Sequence, residues 1–135
     1  MITLEQYLMG RDKLYPEEFN DNKVKENAEL FLPLVNAVLS ELQWHGQVRS
    51  GYRPKVVNKK IGGSPNSYHI YGRAIDIVDN DGRLKALMLK NTDLLKKYNL
   101  WMEHQDATKT WLHLDNGVRR EREPRIFKPE SMVAK

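Results

Sequence analysis

From about Asn20 to Leu42 the apolar residues Val24, Ala28, Phe31, Val35, Val38 and Leu42 recur in steps of four and three. That spacing places them along one face of a helix, suited to covering a sheet. Pro33 lies inside the pattern. It lacks an N–H and its ring crowds the preceding turn, so the pattern predicts a kink or two helices in place of one. Nearer the N-terminus, Thr3 and Gln6 have the spacing of a capping box and Gly10 is a natural stop, which predicts a short helix over 4–9. Later in the chain, Leu84, Leu87, Met88, Leu94, Leu95 and Tyr98 approximate another helical face.

Between these stretches the period falls to two. Val48, Ser50 and Tyr52 alternate with Arg49, Gly51 and Arg53, predicting a strand within 46–53. The segment 54–68, with its run Gly62-Gly63-Ser64-Pro65-Asn66-Ser67, reads as a loop that leads straight to His69. Ala74-Ile75-Asp76-Ile77-Val78 reads as a strand closed by a turn at Asp79-Asn80-Asp81-Gly82, and two further strands are expected over 100–103 and 110–115. In the last of these, alternation puts Leu112 and Leu114 on one face and Trp111, His113 and Asp115 on the other. Helices first, then strands with one inserted helix, describe an α+β domain: a mainly antiparallel sheet with helices packed on one face.

Composition narrows the picture. A chain of 135 residues, 40% of them hydrophobic, suits one domain with one modest core. No run approaches the roughly 18 to 20 apolar residues of a membrane span. The opening Met1-Ile2-Thr3-Leu4-Glu5-Gln6 lacks a basic region followed by an apolar stretch, so no secretory signal peptide is visible and synthesis in the cytoplasm is expected. The absence of cysteine excludes disulfides, thiolate nucleophiles and Cys-type zinc sites. Any metal must be held by His, Asp or Glu. A net charge of +4 suits an anionic partner such as nucleic acid or a bacterial cell wall. Much of the excess sits in 118–135, where Arg119, Arg120, Arg122, Arg125, Lys128 and Lys135 are interspersed with Glu121, Glu123 and Glu130. That segment reads first as a solvated basic tail and second as a wall-attracting patch.

The densest chemical signal is Ser67-Tyr68-His69-Ile70-Tyr71-Gly72-Arg73-Ala74-Ile75-Asp76. Here an imidazole and a carboxylate are separated by a tight turn and the start of a strand, with Gly72 permitting the turn and Ala74 leaving room beside Asp76. A catalytic zinc takes three protein ligands and keeps one position open, and His113 is the third donor. Hydrolysis then needs one more group to move a proton. Glu103 ends the strand expected to pair with the His113 strand, which would bring its carboxylate near the metal. His104, next to it, should point to the opposite face. Asp115 suits a partner to a metal-bound histidine or a solvated carboxylate, and for Tyr68 and Trp111 cleft wall and ordinary packing are both open.

These motifs, together with Trp111-Leu112-His113 and the upstream Ser50-Gly51-Tyr52-Arg53, resemble the M15 group of zinc D-Ala-D-Ala carboxypeptidases and related cell-wall peptidases, which share their fold with the hedgehog signalling domain. The resemblance frames residues 50–115. It implies zinc on His69, Asp76 and His113, an acid before the last histidine as base, Arg53 binding substrate and steadying the developing oxyanion, and Ser67 lining the pocket. One departure matters. Many members carry the acid closer to the last histidine than Glu103 lies to His113, so Asp106 is the alternative base. The interval 105–109 reads as a longer hairpin turn that leaves the strand pairing intact.

The chain also resembles phage-encoded members in size. The expectation is therefore a single-domain zinc metallopeptidase spanning 1–135, an endolysin-type bacteriophage hydrolase that cuts peptidoglycan peptides as an endopeptidase, reaching the cell wall after release. The alternatives are D-Ala-D-Ala carboxypeptidase action and a non-catalytic, zinc-stabilised binding module of a phage particle, against which the presence of Glu103 beside three ligands argues. A monomer is expected. Nucleic acid is not, because the basic residues lack an aromatic stacking platform or a reading helix.

Overall fold

The structure is a computed structural model that describes residues 1–119 and 124–129. Helices come first: α1 (Leu4–Leu8), α2 (Arg11–Leu14), α3 (Pro16–Asp21) and the long α4 (Val24–Glu41). Strand β1 (Val48–Ser50), helix α5 (Lys55–Lys60) and a single 3-10 turn at Tyr68–Tyr71 lead to β2 (Ala74–Val78). Helices α6 (Arg83–Lys90) and α7 (Asp93–Lys97) precede β3 (Trp101–Glu103), β4 (Trp111–Asp115) and β5 (Ile126–Phe127). Among the described residues the five strands form one sheet in the order β1-β2-β4-β3-β5. Every neighbouring pair is antiparallel except β3 with β5, which is parallel. The α+β architecture expected from the pattern is the one observed. Among the described residues no helix is long and apolar enough to cross a membrane.

Alternation along the strands divides the sheet into two faces. Ile75, Ile77, Met102, Leu112 and Leu114 are fully buried on one face, in a single core with Phe31, Val35 and Val38 of α4, Leu84 and Met88 of α6, and Leu95 of α7. Asp76, His113 and Asp115 occupy the other face, which is where the chemistry lies. Hydrophobic burial of the first face, at about 25 cal/mol per Å² of apolar surface, therefore also fixes the orientation of the second.

Several elements differ from the sequence reading for identifiable reasons. Helix α4 runs unbroken through Pro33; the break falls earlier, at Asn22 and Lys23, where Lys23 takes a left-handed conformation (φ +53°). Pro33 faces outward, while Phe31, Leu32 and Val35 on either side are buried and hold the helix to the core. Residues 84–98 form two helices, because Asn91 turns its side-chain amide onto the Leu87 carbonyl (2.9 Å) and ends α6. The expected loop 54–68 contains α5, entered through Pro54, whose fixed φ of −57° suits a helix entry. Strand β1 is short and bulged: Val48 pairs with Ile77 but Ser50 with Asp76, so one extra residue switches the chain from the core face to the polar face.

The last segment also departs from a simple solvated tail. Ile126 and Phe127 pair with Met102 and Glu103, and Arg125 stacks on Trp101 with its guanidinium 4.1 Å from the ring centroid. The apolar Ile126-Phe127 pair gives the sheet edge a partner. Arg120, Glu121, Arg122, Glu123, Glu130 and Lys135 lie outside the described residues.

Pro33 cannot donate to the Glu29 carbonyl in the preceding turn, so Pro33→Ala should restore a helix hydrogen bond without disturbing the core. The expected result is stabilisation by about 1 to 3 kcal/mol, measured as a raised urea midpoint. A destabilised variant would mean that α4 depends on a proline-induced bend.

Candidate metal centre

Four elements deliver side chains to one place. The β2–β4 register sets Asp76 directly opposite His113, and the β1–β2 register sets Ser50 opposite Asp76. Pairing of Met102 with Leu114 carries the next residue of β3, Glu103, to the level of His113. Ser50, Asp76, His113 and Glu103 therefore form a row across four strands on the polar face.

His69 reaches the row from the 3-10 turn. Ser67 caps that turn, its hydroxyl accepting from the His69 N–H (3.2 Å), and Gly72 ends it in the left-handed region (φ +72°), as expected from the need for a tight reversal before β2. A Cβ at Gly72 would also press on the Val24 carbonyl oxygen at 2.8 Å. The His69 imidazole is buried, and its Nδ1 donates to the Gly51 carbonyl oxygen (2.8 Å). Because a carbonyl can only accept, this bond settles which nitrogen carries the proton and leaves Nε2 facing Asp76 Oδ1 at 3.3 Å.

His69, Asp76 and His113 are all buried, and one ligand atom from each lies within 4.8 Å of the others. His113 Nδ1 is 3.0 Å from Asp76 Oδ1, while its Nε2 is 2.7 Å from Asp115 Oδ2. Burial pushes His69 below the ordinary histidine range despite the pull of Asp76, so the imidazole is neutral and its Nε2 lone pair faces a carboxylate oxygen. Two lone pairs at that distance repel unless a cation lies between them. Burial alone would lower His113 as well, but the hydrogen bonds it donates to Asp115 and Asp76 push it up to about 10. Burial alone would raise Asp76; the hydrogen bond from His113 holds it well below the usual carboxylate range.

The donor set fits a zinc ion. Two ligands at zinc distances of about 2.0 to 2.1 Å in tetrahedral geometry lie about 3.3 Å apart, and the observed separations from Asp76 Oδ1 are 3.0 and 3.3 Å. Nitrogen and oxygen donors of this kind, without sulfur, suit zinc well. Asp115 supplies the carboxylate partner that metal-bound histidines commonly have. It is fully buried, so its solvated reading does not hold.

Arg53 also belongs to the cluster. Its Nη2 donates to Asp76 Oδ2 (2.8 Å), its Nε to Ser50 Oγ (2.9 Å) and its Nη1 to Asn58 Oδ1 (3.3 Å). Glu103 is half-buried at its place in the row, and burial raises its carboxyl above the ordinary glutamate value, partly offset by His113. Asp106 lies in the turn beyond, with a side chain 72% exposed, and pairs with His104 instead of with the cluster. Trp111 is half-buried two residues from His113, with the Arg49 guanidinium stacked 4.3 Å from its ring centroid. Tyr68 is half-buried too, and its hydroxyl donates to the Val118 carbonyl (3.2 Å).

Two contributors lie outside the sequence motifs. Asn58 is buried: its amide nitrogen donates to the Ser64 carbonyl (2.8 Å) while its oxygen receives Arg53, so it ties the loop before His69 to the guanidinium. Nothing in Val57-Asn58-Lys59 marks it, because a polar residue in an apparent loop needs no partner. Arg119 pairs with Asp115, and its spacing of four residues from the end of a strand was the available signal. Asn58→Ala should lower stability by about 1 to 3 kcal/mol through the Arg53 and Ser64 groups left unpaired, measured by urea denaturation. A neutral effect would mean that water replaces both bonds at no cost.

No curated protein and no solved structure matches the chain significantly. A family model described as Peptidase M15 matches residues 16–115, which takes in α3 through β4 and each of His69, Asp76, Glu103 and His113. With a match over 100 of its 135 residues, the chain belongs to the Peptidase M15 family.

Proposed function

We propose that the protein is a zinc peptidase of bacterial peptidoglycan, with His69, Asp76 and His113 as ligands and Glu103 as the proton-transfer group. The observation that carries the reading is the burial of three convergent donors, two from neighbouring strands and one from the 3-10 turn, with a half-buried carboxylate at the level of His113 on the next strand. A zinc ion held there supplies Lewis-acid polarisation of a peptide carbonyl and acidifies water toward neutral pH. Glu103 accepts the proton of the attacking water and returns it to the leaving amine. Its raised proton affinity suits both halves of that task. Arg53 donates from its remaining N–H groups toward the carbonyl oxygen on which negative charge develops. Ser67 and Tyr68 border the turn that presents His69, and Trp111 with Arg49 forms a wall beyond His113; these are the surfaces for the substrate peptide.

The bond cut is an internal one in the wall peptide, as in an endolysin-type lytic enzyme. Arg53 supports this choice, since its charge is already paired with Asp76 and three of its nitrogens are engaged. Such a guanidinium favours a neutral peptide carbonyl over a free terminal carboxylate, which would need an unpaired cation. The net charge of +4 favours approach to an anionic wall.

The purified protein should hold about one zinc per chain by elemental analysis, and His69→Ala and His113→Ala should lose it. Unchanged metal content in both variants would sink the ligand assignment. Glu103→Ala should reduce turnover about 100- to 10,000-fold while zinc content and fold persist, whereas Asp106→Ala should be mild. The reverse ranking would move the proton-transfer role to Asp106. Cross-linked peptidoglycan treated with the protein should yield monomeric muropeptides with new free amines. Free D-alanine with persisting dimers would make the enzyme a carboxypeptidase.

A further inference from the structure

The family match ends at Asp115, but the chain stays at the site for several residues more. Asp115 is fully buried, and its Oδ2 lies 2.7 Å from His113 Nε2. The backbone N–H of Gly117 donates to Oδ1 (3.1 Å), and Arg119 closes a two-pronged pair, Nη1 on Oδ1 and Nη2 on Oδ2. Four donors thus converge on this carboxylate, two on each oxygen.

Arg119 is itself enclosed. Its guanidinium lies 4.4 Å from the ring centroid of Phe127, 5.2 Å from that of Tyr68 and 5.5 Å from that of Trp101. Phe127 also meets the His113 ring edge-on at 5.9 Å. A planar, weakly hydrated cation suits such an aromatic enclosure far better than an ammonium does. The approach is close enough that a Cβ on Gly117 would lie 2.0 Å from the Tyr68 ring, so the turn after β4 is built to pass beneath that tyrosine.

We propose that Arg119, through Asp115, is a positioning residue for the metal centre: it locks the carboxylate that sets the His113 ring so that Nδ1 faces Asp76. This rests on the reading of His113 as a zinc ligand. A histidine can rotate about its Cβ–Cγ bond, and one hydrogen bond at Nε2 restrains it only as well as the acceptor is itself restrained. A bidentate guanidinium leaves the Asp115 carboxylate one orientation, where a single-point cation would leave several. The residues from 116 to 127 that are described thus complete from outside the family match a site whose ligands all lie within it.

The test is zinc affinity, measured on metal-free protein by competition with a chromophoric chelator, with the visible spectrum of the cobalt-substituted protein as a report on ligand geometry. Arg119→Met should weaken zinc binding about 10-fold or more and shift the cobalt bands, with Arg119→Lys intermediate. In an Asp115→Asn background, Arg119→Met should cost little further, because its effect passes through that carboxylate. A folded Arg119→Met variant with wild-type affinity and spectrum overturns the proposal, as does an equal loss in the Asp115→Asn background, which would assign the effect to aromatic packing. Should Arg119→Met fail to fold, wild-type affinity in Arg119→Lys overturns it. Wild-type protein with no zinc affinity would instead remove the functional reading on which the proposal stands.

Discussion

The carboxylate of Asp76 is the constraint on which the rest of the site depends. It is buried and ionised, a state that costs several kcal/mol in desolvation unless well-placed partners compensate it. The compensation comes from two directions: Arg53 on Oδ2 and His113 on Oδ1. Arg53 follows β1 and His113 comes from β4, so the charge is satisfied only when β1, β2 and β4 have closed into the sheet. Removing one partner would leave a buried charge exposed to a penalty of about 3 to 5 kcal/mol. The neutral His69, with Nε2 turned toward Oδ1, adds a second acceptor there and makes the place attractive to a cation.

Around that centre the sheet separates two tasks by strand alternation alone. Ile75 and Ile77 bracket Asp76, and Leu112 and Leu114 bracket His113, so the residues that anchor the sheet to α4 and α6 are the immediate chain neighbours of the ligands. A slip of one residue would turn the ligands into the core and the leucines into the cleft. Fold and site are thus specified by the same pattern. The bulge in β1 is the local exception, letting a strand that begins on the core face deliver Ser50 and then Arg53 to the polar face.

That shared pattern explains how much was legible in the sequence. The alternation in Ala74–Val78 and Trp111–Asp115, with the motif around His69, was sufficient to place the three donors on one face, and the helical period of 24–42 was sufficient to supply the opposite layer. What stayed hidden depends on contacts without periodicity. Helix α5 is too short for a helical period to emerge, and the buried role of Asn58 exists only because the loop folds back to Ser64. Pro33 predicts a kink or a break because it lacks an N–H and crowds the preceding turn, yet burial on both sides of it carries α4 through unbroken. Arg119 and Phe127 looked like parts of a charged terminal segment, since neither a lone arginine nor a two-residue strand carries a signal until β3 is there to receive it.

In the proposed reading, His69, Asp76 and His113 hold the zinc of a peptidase. Anomalous diffraction from crystals of the zinc-loaded protein, recorded on both sides of the zinc absorption edge, tests it most directly. The expected result is one strong peak per chain enclosed by His69 Nε2, Asp76 Oδ1 and His113 Nδ1, with Glu103 near the metal but not bound to it. A peak elsewhere, such as beside His104 and Asp106, or none between these three residues, would contradict it.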